Sequence, residues 1–290
     1  MNLKYILAVF IGACSYGILS TIVKLAYAQN LSPAVVTVGQ FVVGWLLLLV
    51  LFLRSRSKSR LSPKHIIQLM IAGVPTGLVG IFYYLSLVTT EASIAVVLLF
   101  QFVWMGTVLD SLVEKSWPNK KSVIAVLIVL VGTILASGIA GGSTFAFDSR
   151  GVLFGLLAAL SFSLFIMTNA KVHPHVPPIQ RSYHMVSGSF VMVVIVFLPQ
   201  LVHESIASFQ ELGIFALLLG LFGVVIPPFL FAYGMPHIGS TIGSILGAAE
   251  LPVAVLCSML VLNENVSFIQ WIGVLMIILA MVTPNIKWRN

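Results

Sequence analysis

The sequence predicts an all-α integral membrane protein, with ten transmembrane helices as two inverted five-helix repeats around a central cavity. Three observations carry this. Hydrophobic residues make up 59% of the 290 residues and charged residues only 8%, against about 25% charged in a soluble domain. A fold of this size cannot hide so much apolar surface from water, so its solvent is lipid. The apolar residues fall into ten spans, and the second five echo the first. An odd number of spans per repeat turns the second half over across the bilayer, which is the sequence logic of a secondary transporter with a midplane site between inverted halves.

The spans read as 4–28, 33–53, 65–88, 92–113, 121–140, 150–170, 181–201, 211–234, 241–262 and 268–286. Each is close to the ~20 residues that cross the hydrocarbon. Backbone hydrogen bonds must close within each segment in lipid, so all are helices. Span 1 follows Lys4 and ends near Ala26-Tyr27-Ala28, which resembles a cleaved signal peptide. The run is longer than a typical signal core, Lys24 interrupts its end, and cleavage would leave nine spans, so it reads as a retained helix. Span 2 runs into a basic stretch. Span 3 carries Pro75 among Gly73, Gly77 and Gly80, and span 8 carries Pro227-Pro228 near Gly220 and Gly223, so both read as kinked and as candidates for moving parts. Spans 4 and 9 are followed by Glu114 and Glu264. Residues 1–140 form the first repeat, 141–149 an extracytoplasmic linker and 150–290 the second repeat.

The loops test the span count. Arg54, Arg56, Lys58, Arg60 and Lys64 follow span 2, and Lys115, Lys120 and Lys121 follow span 4. Lys171 and Arg181 follow span 6, Lys287 and Arg289 close the chain, and Lys4 opens it. These thirteen of the 15 basic residues fall on one side of a ten-span layout. Arg150 and Lys24 lie toward the other side, with Glu91, Asp148, Glu204, Glu211 and Glu264. The positive-inside rule places both termini in the cytoplasm of a plasma (inner) membrane protein. It also explains the net charge of +7 without nucleic acid. Cys14 and Cys257 fall inside apolar spans and imply neither a disulfide framework nor a metal site.

A shift of 150 residues aligns spans 3–5 with 8–10, putting Tyr83 on Tyr233, Thr90 on Ser240 and Glu114 on Glu264, with Gly132 near Gly273. A shift of about 146 puts Ser15 on Ser161 and Tyr16 on Phe162. Two five-helix halves with an acid closing the fourth helix resemble the drug/metabolite transporter superfamily, in its EamA-like branch. The segment from Glu250 through Pro252 to Glu264 is similar to that family's fourth-helix pattern, and Cys14-Ser15-Tyr16-Gly17 followed by Lys24 to its first-helix pattern. The first half departs from it, with Phe102 where Pro252 stands. The resemblance implies a ten-helix basket whose cavity is lined by spans 1, 3, 4, 6, 8 and 9, and transport of small metabolites, often amino-acid export.

Glu250, near the middle of span 9, is the sharpest candidate. A carboxylate there costs about 2.5–3.5 kcal/mol on insertion scales, so it faces the bundle or a wet cavity. Gly239, Gly243, Gly247, Glu250, Ala254 and Cys257 recur at steps of three and four and so share a small-residue face. Desolvation penalises the charged carboxylate, which suits a proton carrier; recognition of a substrate amine and plain interhelical hydrogen bonding are the alternatives. Lys24 attracts an anionic group or snorkels to the interface. Gln101 and Trp104, one turn apart in span 4, grip a small polar or aromatic solute or hydrogen-bond between helices. Tyr83 and Tyr233 line the path or anchor at the interfaces. Asn169 and Thr168 lie at the inner mouth. Asp110 pairs with Lys115 or Lys121, and His173 and His175 sit in a solvated, Pro-rich loop.

No nucleotide-binding loop, zinc-protease motif or serine-hydrolase elbow occurs. The expected partners are a small-molecule metabolite and the lipid bilayer, with no cofactor, no nucleic acid, and a monomer or weak homodimer. A multidrug or cationic-compound exporter is the alternative within transport. A membrane enzyme or lipid-handling protein needs an acid–base pair in reach, and His237 is the nearest histidine in that half.

Overall fold

The structure is a computed structural model and describes residues 2–90, 92–138 and 148–282. Glu91, most of the linker predicted at 141–149, the last residues of spans 5 and 10, and Lys287 and Arg289 lie outside the described residues. Among the described residues there is no strand. The helices are α1 Leu3–Ala28, α2 Pro33–Arg54, α3 Pro63–Thr89, α4 Ala92–Leu99, α5 Phe102–Glu114, α6 Lys120–Ala136 and α7 Ser149–Lys171. They continue as α8 Pro178–Leu201, α9 Ile206–Leu219, α10 Ile226–Ile238, α11 Ser240–Gly247, α12 Glu250–Val261 and α13 Phe268–Val282. Eight stretches are long and apolar enough to cross a membrane; three are composite, Ile94–Glu114, Ser208–Ile238 and Ser240–Val261. Helix α6 is shorter at 17 residues, as is the described part of α13 at 15.

Local chemistry sets the starts. Ser32, Ser62, Asn119, Asp148 and Ser205 each accept a first-turn backbone N–H. Pro33, Pro63 and Pro178 stand at the first helical position, where a missing N–H costs nothing. Pro178 starts α8 three residues before the span predicted at 181, which draws Arg181 out of the loop and into the helix.

Spans 4 and 9 are each broken near the middle. Pro252 has no N–H for the Ala248 carbonyl and crowds it, so α11 stops at Gly247 and α12 restarts at Glu250. The small-residue face predicted through span 9 is therefore interrupted; Gly239, at φ +80°, lies before α11 altogether. In span 4, where Phe102 replaces the proline, Gln101 makes the break. Its side-chain Nε2 donates to the Val97 carbonyl at 2.9 Å, and its backbone N–H turns to Leu98 instead. Span 8 carries a π-helical stretch, Gly220–Val225, just before Pro227-Pro228. Carbonyls near the prolines find outside donors: Ser15 Oγ donates to Phe222 O, Ser182 Oγ to Pro228 O, Thr168 Oγ1 to Ala72 O and Ser189 Oγ to Gly73 O.

Helices meet where glycine lets their backbones touch. A Cβ added at Gly73 would strike the Met185 carbonyl, and one at Gly188 the Met70 carbonyl, so α3 and α8 cross in direct contact. Gly44 and Gly220 bring α2 against the π-helical stretch, and Gly132 and Gly273 join α6 to α13. Further extensive contacts join α3 to α7, α1 to α10, α2 to α8 and α1 to α12. One end of the bundle, here the mouth end, holds the α1–α2 and α12–α13 turns, bridged by Lys24 and Glu264 at 2.8 Å. The opposite floor end gathers the α2–α3, α5–α6 and α7–α8 connections: Gln180 Oε1 accepts from Ser59 N at 2.9 Å, and Lys171 reaches Glu114 at 3.2 Å.

Gly188→Val is expected to lower detergent-phase thermal stability strongly, by an overpacking cost of at least about 1–3 kcal/mol. Gly80→Ala, where a Cβ meets nothing within 4 Å, should leave it unchanged or slightly raised. Thermal unfolding of the two variants beside wild type checks the pair.

Candidate functional site

Between the first three helices and α12 lies a cavity of about 610 Å³ that reaches from the mouth end to mid-bundle. Helix α1 contributes Tyr16, Ser20, Lys24 and Tyr27; α2 contributes Thr37, Gln40 and Phe41; α3 contributes Thr76, Gly80, Tyr83 and Tyr84. Glu250, Ala254 and Ser258 of α12 close the other side, and Phe162 and Phe165 of α7 form the bottom. Below them the bundle is packed with apolar side chains, among them Ile166, Met235 and Ile245.

The helix break explains why Glu250 is there. It is the first residue of α12, so its carboxylate sits at the positive end of that helix. Its backbone is fixed from below by Gly17: a Cβ at that position would strike the Glu250 carbonyl and come within 2.7 Å of Val253 Cβ. Tyr16 and Tyr83 share the cavity wall with Glu250. Among the described residues the carboxylate takes no hydrogen bond or ion pair from the protein. An acid that is glue between helices has a donor; this one faces open space.

The other residues singled out in the sequence scatter. Tyr83 lines the cavity beside Glu250. Tyr233, its partner in the repeat, lies at the floor end against Tyr5, with ring centroids 5.2 Å apart, and its carbonyl lies 3.1 Å from His237 Nδ1. Lys24 stands at the cavity mouth, held by Glu264. Gln101 and Trp104 are not among the lining residues: Trp104 Nε1 donates to Gln101 Oε1 at 2.9 Å, and the indole is 39% exposed on the bundle's outside. Their role here is local, since Gln101 is spent on the break in span 4. Asn169 is buried one turn beyond Phe165, donating to that residue's carbonyl at 3.0 Å.

Two pairings differ from expectation. Asp110 turns inward rather than to Lys115 or Lys121: it meets Lys171 at 2.7 Å and accepts from Thr241 Oγ1 at 2.6 Å. Arg181, counted among loop charges, is fully buried in α8. His173 packs against His65 and His175, with ring centroids 4.7 and 5.8 Å away. Partial burial, then those two rings and Arg181, push it below the ordinary imidazole range. Sequence reasoning passed over Tyr27, Tyr84 and Gln40, which also line the cavity; Tyr84 follows Tyr83 by about 100° around the helix, near enough to share its wall.

The model of the EamA-like transporter family matches the chain twice, over residues 3–138 and 149–284. A solved structure, described only as the crystal structure of a protein, shares the fold: its TM-score is 0.81 at 16% sequence identity, covering 98% of this chain and 99% of that one. No curated protein matches the chain.

The two ion pairs should respond differently to truncation. Lys24→Ala breaks a pair whose side chains are 51% and 46% exposed, so its cost should be below about 1 kcal/mol and fade with salt. Lys171→Ala strands Asp110, whose side chain is 11% exposed, and should cost on the order of 2 kcal/mol. Unfolding titrations at low and high salt measure both.

Proposed function

This chain belongs to the EamA-like transporter family, and from that premise we propose that it is a secondary carrier exporting small metabolites, amino acids foremost, by alternating access. The coarser statement, a multi-pass membrane protein of a transporter family, rests on the family match and the apolar helices. The finer reading rests on the partnerless carboxylate of Glu250 on the wall of a cavity open at one end only.

Ten crossings in two inverted halves are supported by the pattern of neighbours. Exchange α1 with α7, α2 with α8, α3 with α9–α10, α4–α5 with α11–α12, and α6 with α13. Contacts then map onto contacts: α3 with α7 onto α10 with α1, α3 with α8 onto α2 with the α9–π stretch, and α5 with α7 onto α12 with α1. The pairs α2–α8 and α6–α13 map onto themselves. The exchange is not exact: α5 and α7 pack against α11, while α12 and α1 make no comparable contact with α4 among the described residues, and the same kind of break occurs around the cavity. Helix α10 packs against α7 and α8, while α3 makes no comparable contact with α1 and α2 among the described residues. The cavity fills that gap. Positive-inside placement makes the floor end cytoplasmic, so this is an outward-open state, and the inward-open state is reached when α3 closes on α1 and α2 as α10 parts from α7 and α8.

Glu250 then has one of two tasks at the end of the open path: to exchange a proton with the entering water, or to hold the ammonium of a solute. A cationic-compound exporter is the second reading, favoured by the aromatic wall of Tyr16, Tyr83, Phe100 and Phe162 around one acid. An enzyme fits less well, because His237, stacked on Tyr5 at 3.6 Å, lies at the floor end, away from Glu250.

Proteoliposomes loaded with a cytosolic metabolite extract test this, with released solutes identified by mass spectrometry. Selective, saturable efflux is expected from wild type, and Glu250→Gln should abolish it or free it from an imposed pH gradient. Equal efflux from both proteins would remove Glu250 from the mechanism, and no selective efflux from folded wild type would contradict the carrier reading.

A further inference from the structure

We propose that Arg181 is an anion site for the carboxylate of a transported solute, on the half of the pathway that is closed in this structure; the proposal rests on the carrier reading above. Its place is on the line of the cavity. Phe165 and Thr76 stand at the cavity's bottom. One turn further toward the floor end, on the same two helices, come Asn169 and Ala72, both buried. Arg181 of α8 meets α7 at this level, its Nη2 donating to the backbone carbonyl of Asn169. Its neighbours on α8 continue the packing: Ser182 bonds Pro228 O of α10, and the Met185 carbonyl touches Gly73 of α3.

The guanidinium is incompletely served. Its exposure is 0%, yet Nε and Nη1 have no hydrogen-bond partner, and no carboxylate pairs with it among the described residues. Asn169 Oδ1 beside it is also without a donor. The single bond to Asn169 O caps the last turn of α7, a task that one N–H performs. A guanidinium has five. Burying a cation with most of its donors idle is costly, and an apolar residue of similar volume would fill a merely structural position better. The cost makes sense if the burial is temporary. Helix α10 presses on α7 and α8 here, and when it withdraws, Arg181 faces the cytoplasmic side of the path. Nη2 keeps a second N–H, and with the idle donor on that edge, Nε or Nη1, it makes a planar fork that matches the two oxygens of a carboxylate. Glu250 and Arg181 then mark successive levels of one path with opposite charges, which suits a zwitterion with an ammonium and a carboxylate better than a simple cation.

Charge-selective thiol labelling tests this without knowing the substrate. The full chain with Cys14→Ala and Cys257→Ala, carrying Asn169→Cys, is reconstituted in liposomes. It is treated with sulfonatoethyl methanethiosulfonate, an anion, or with the trimethylammonioethyl reagent, a cation of similar size. The anionic reagent should react about tenfold faster. Arg181→Gln should erase that preference and Arg181→Lys retain part of it. A thiol at 169 that neither reagent reaches, or a preference unchanged in Arg181→Gln, would overturn the proposal. Should Arg181→Gln fail to fold, Arg181→Lys with an undiminished preference for the anion and no protection by carboxylates would overturn it equally. A mixture of L-amino acids should slow the anionic reagent, while phenethylamine and tyramine, which lack the carboxylate, should not. Equal protection by amines would overturn the carboxylate assignment. An Arg181-dependent preference with no protection by amino acids would uphold the anion site and sink the amino-acid part of the carrier reading instead.

Discussion

Helices in lipid gain nothing by hiding apolar side chains from one another, because the tails outside are as apolar as the interior. This bundle is held instead where two backbones come into contact. The crossings at Gly73 and Gly188, Gly44 and Gly220, and Gly132 and Gly273 are of this kind; the first two are counterparts of each other in the two halves, and the third joins a helix to its own counterpart. Such contacts are all-or-none: a backbone pair is either seated or apart. A bundle built from them has few intermediate shapes, which is what a gate between two states requires.

The same economy explains the site. A helix that stops and restarts in mid-bundle leaves backbone groups and a dipole end where lipid would forbid them, unless protein or a wet cavity receives them. Span 9 restarts at Glu250, and the cavity is there to receive it. Span 4 breaks at the equivalent level, yet Gln101 satisfies its own break and no acid is presented. Two related breaks thus have unequal consequences: one presents an acid to the cavity and the other is satisfied locally. The ion pairs at the two ends show the same inequality. Lys24 with Glu264 is exposed at the open mouth, while Lys171 with Glu114 is reinforced by Asp110 and Thr241 at the closed floor.

Much of this was legible in the residues. The all-helical character, the eight long apolar spans and the gathering of the described basic loops at one end follow from hydropathy and charge, which act locally. Glu250 was legible because a carboxylate in an apolar span has few tolerable places to go. Other features depended on contacts between distant segments. Gln101 looked like a ligand group, but its amide reaches the carbonyl four residues back, and no periodicity reveals that choice. Tyr83 and Tyr233 align in the repeat, yet an asymmetric state puts one in an open cavity and the other in a packed floor. Arg181 read as a loop charge because the helix start at Pro178 was placed three residues late.

The central claim is that opening at one end and closure at the other are a single event. Spin labels at Gln29 and Leu85 report the gap between α1 and α3 at the mouth, and labels at His175 and His237 report the floor; all four positions are exposed. Pulsed electron–electron distance measurements in lipid nanodiscs, across a pH series with and without Glu250→Gln, follow both distances. The account predicts reciprocal populations, with the mouth pair shortening in the same fraction of molecules in which the floor pair lengthens. Distances that stay fixed, or that lengthen together, would contradict it.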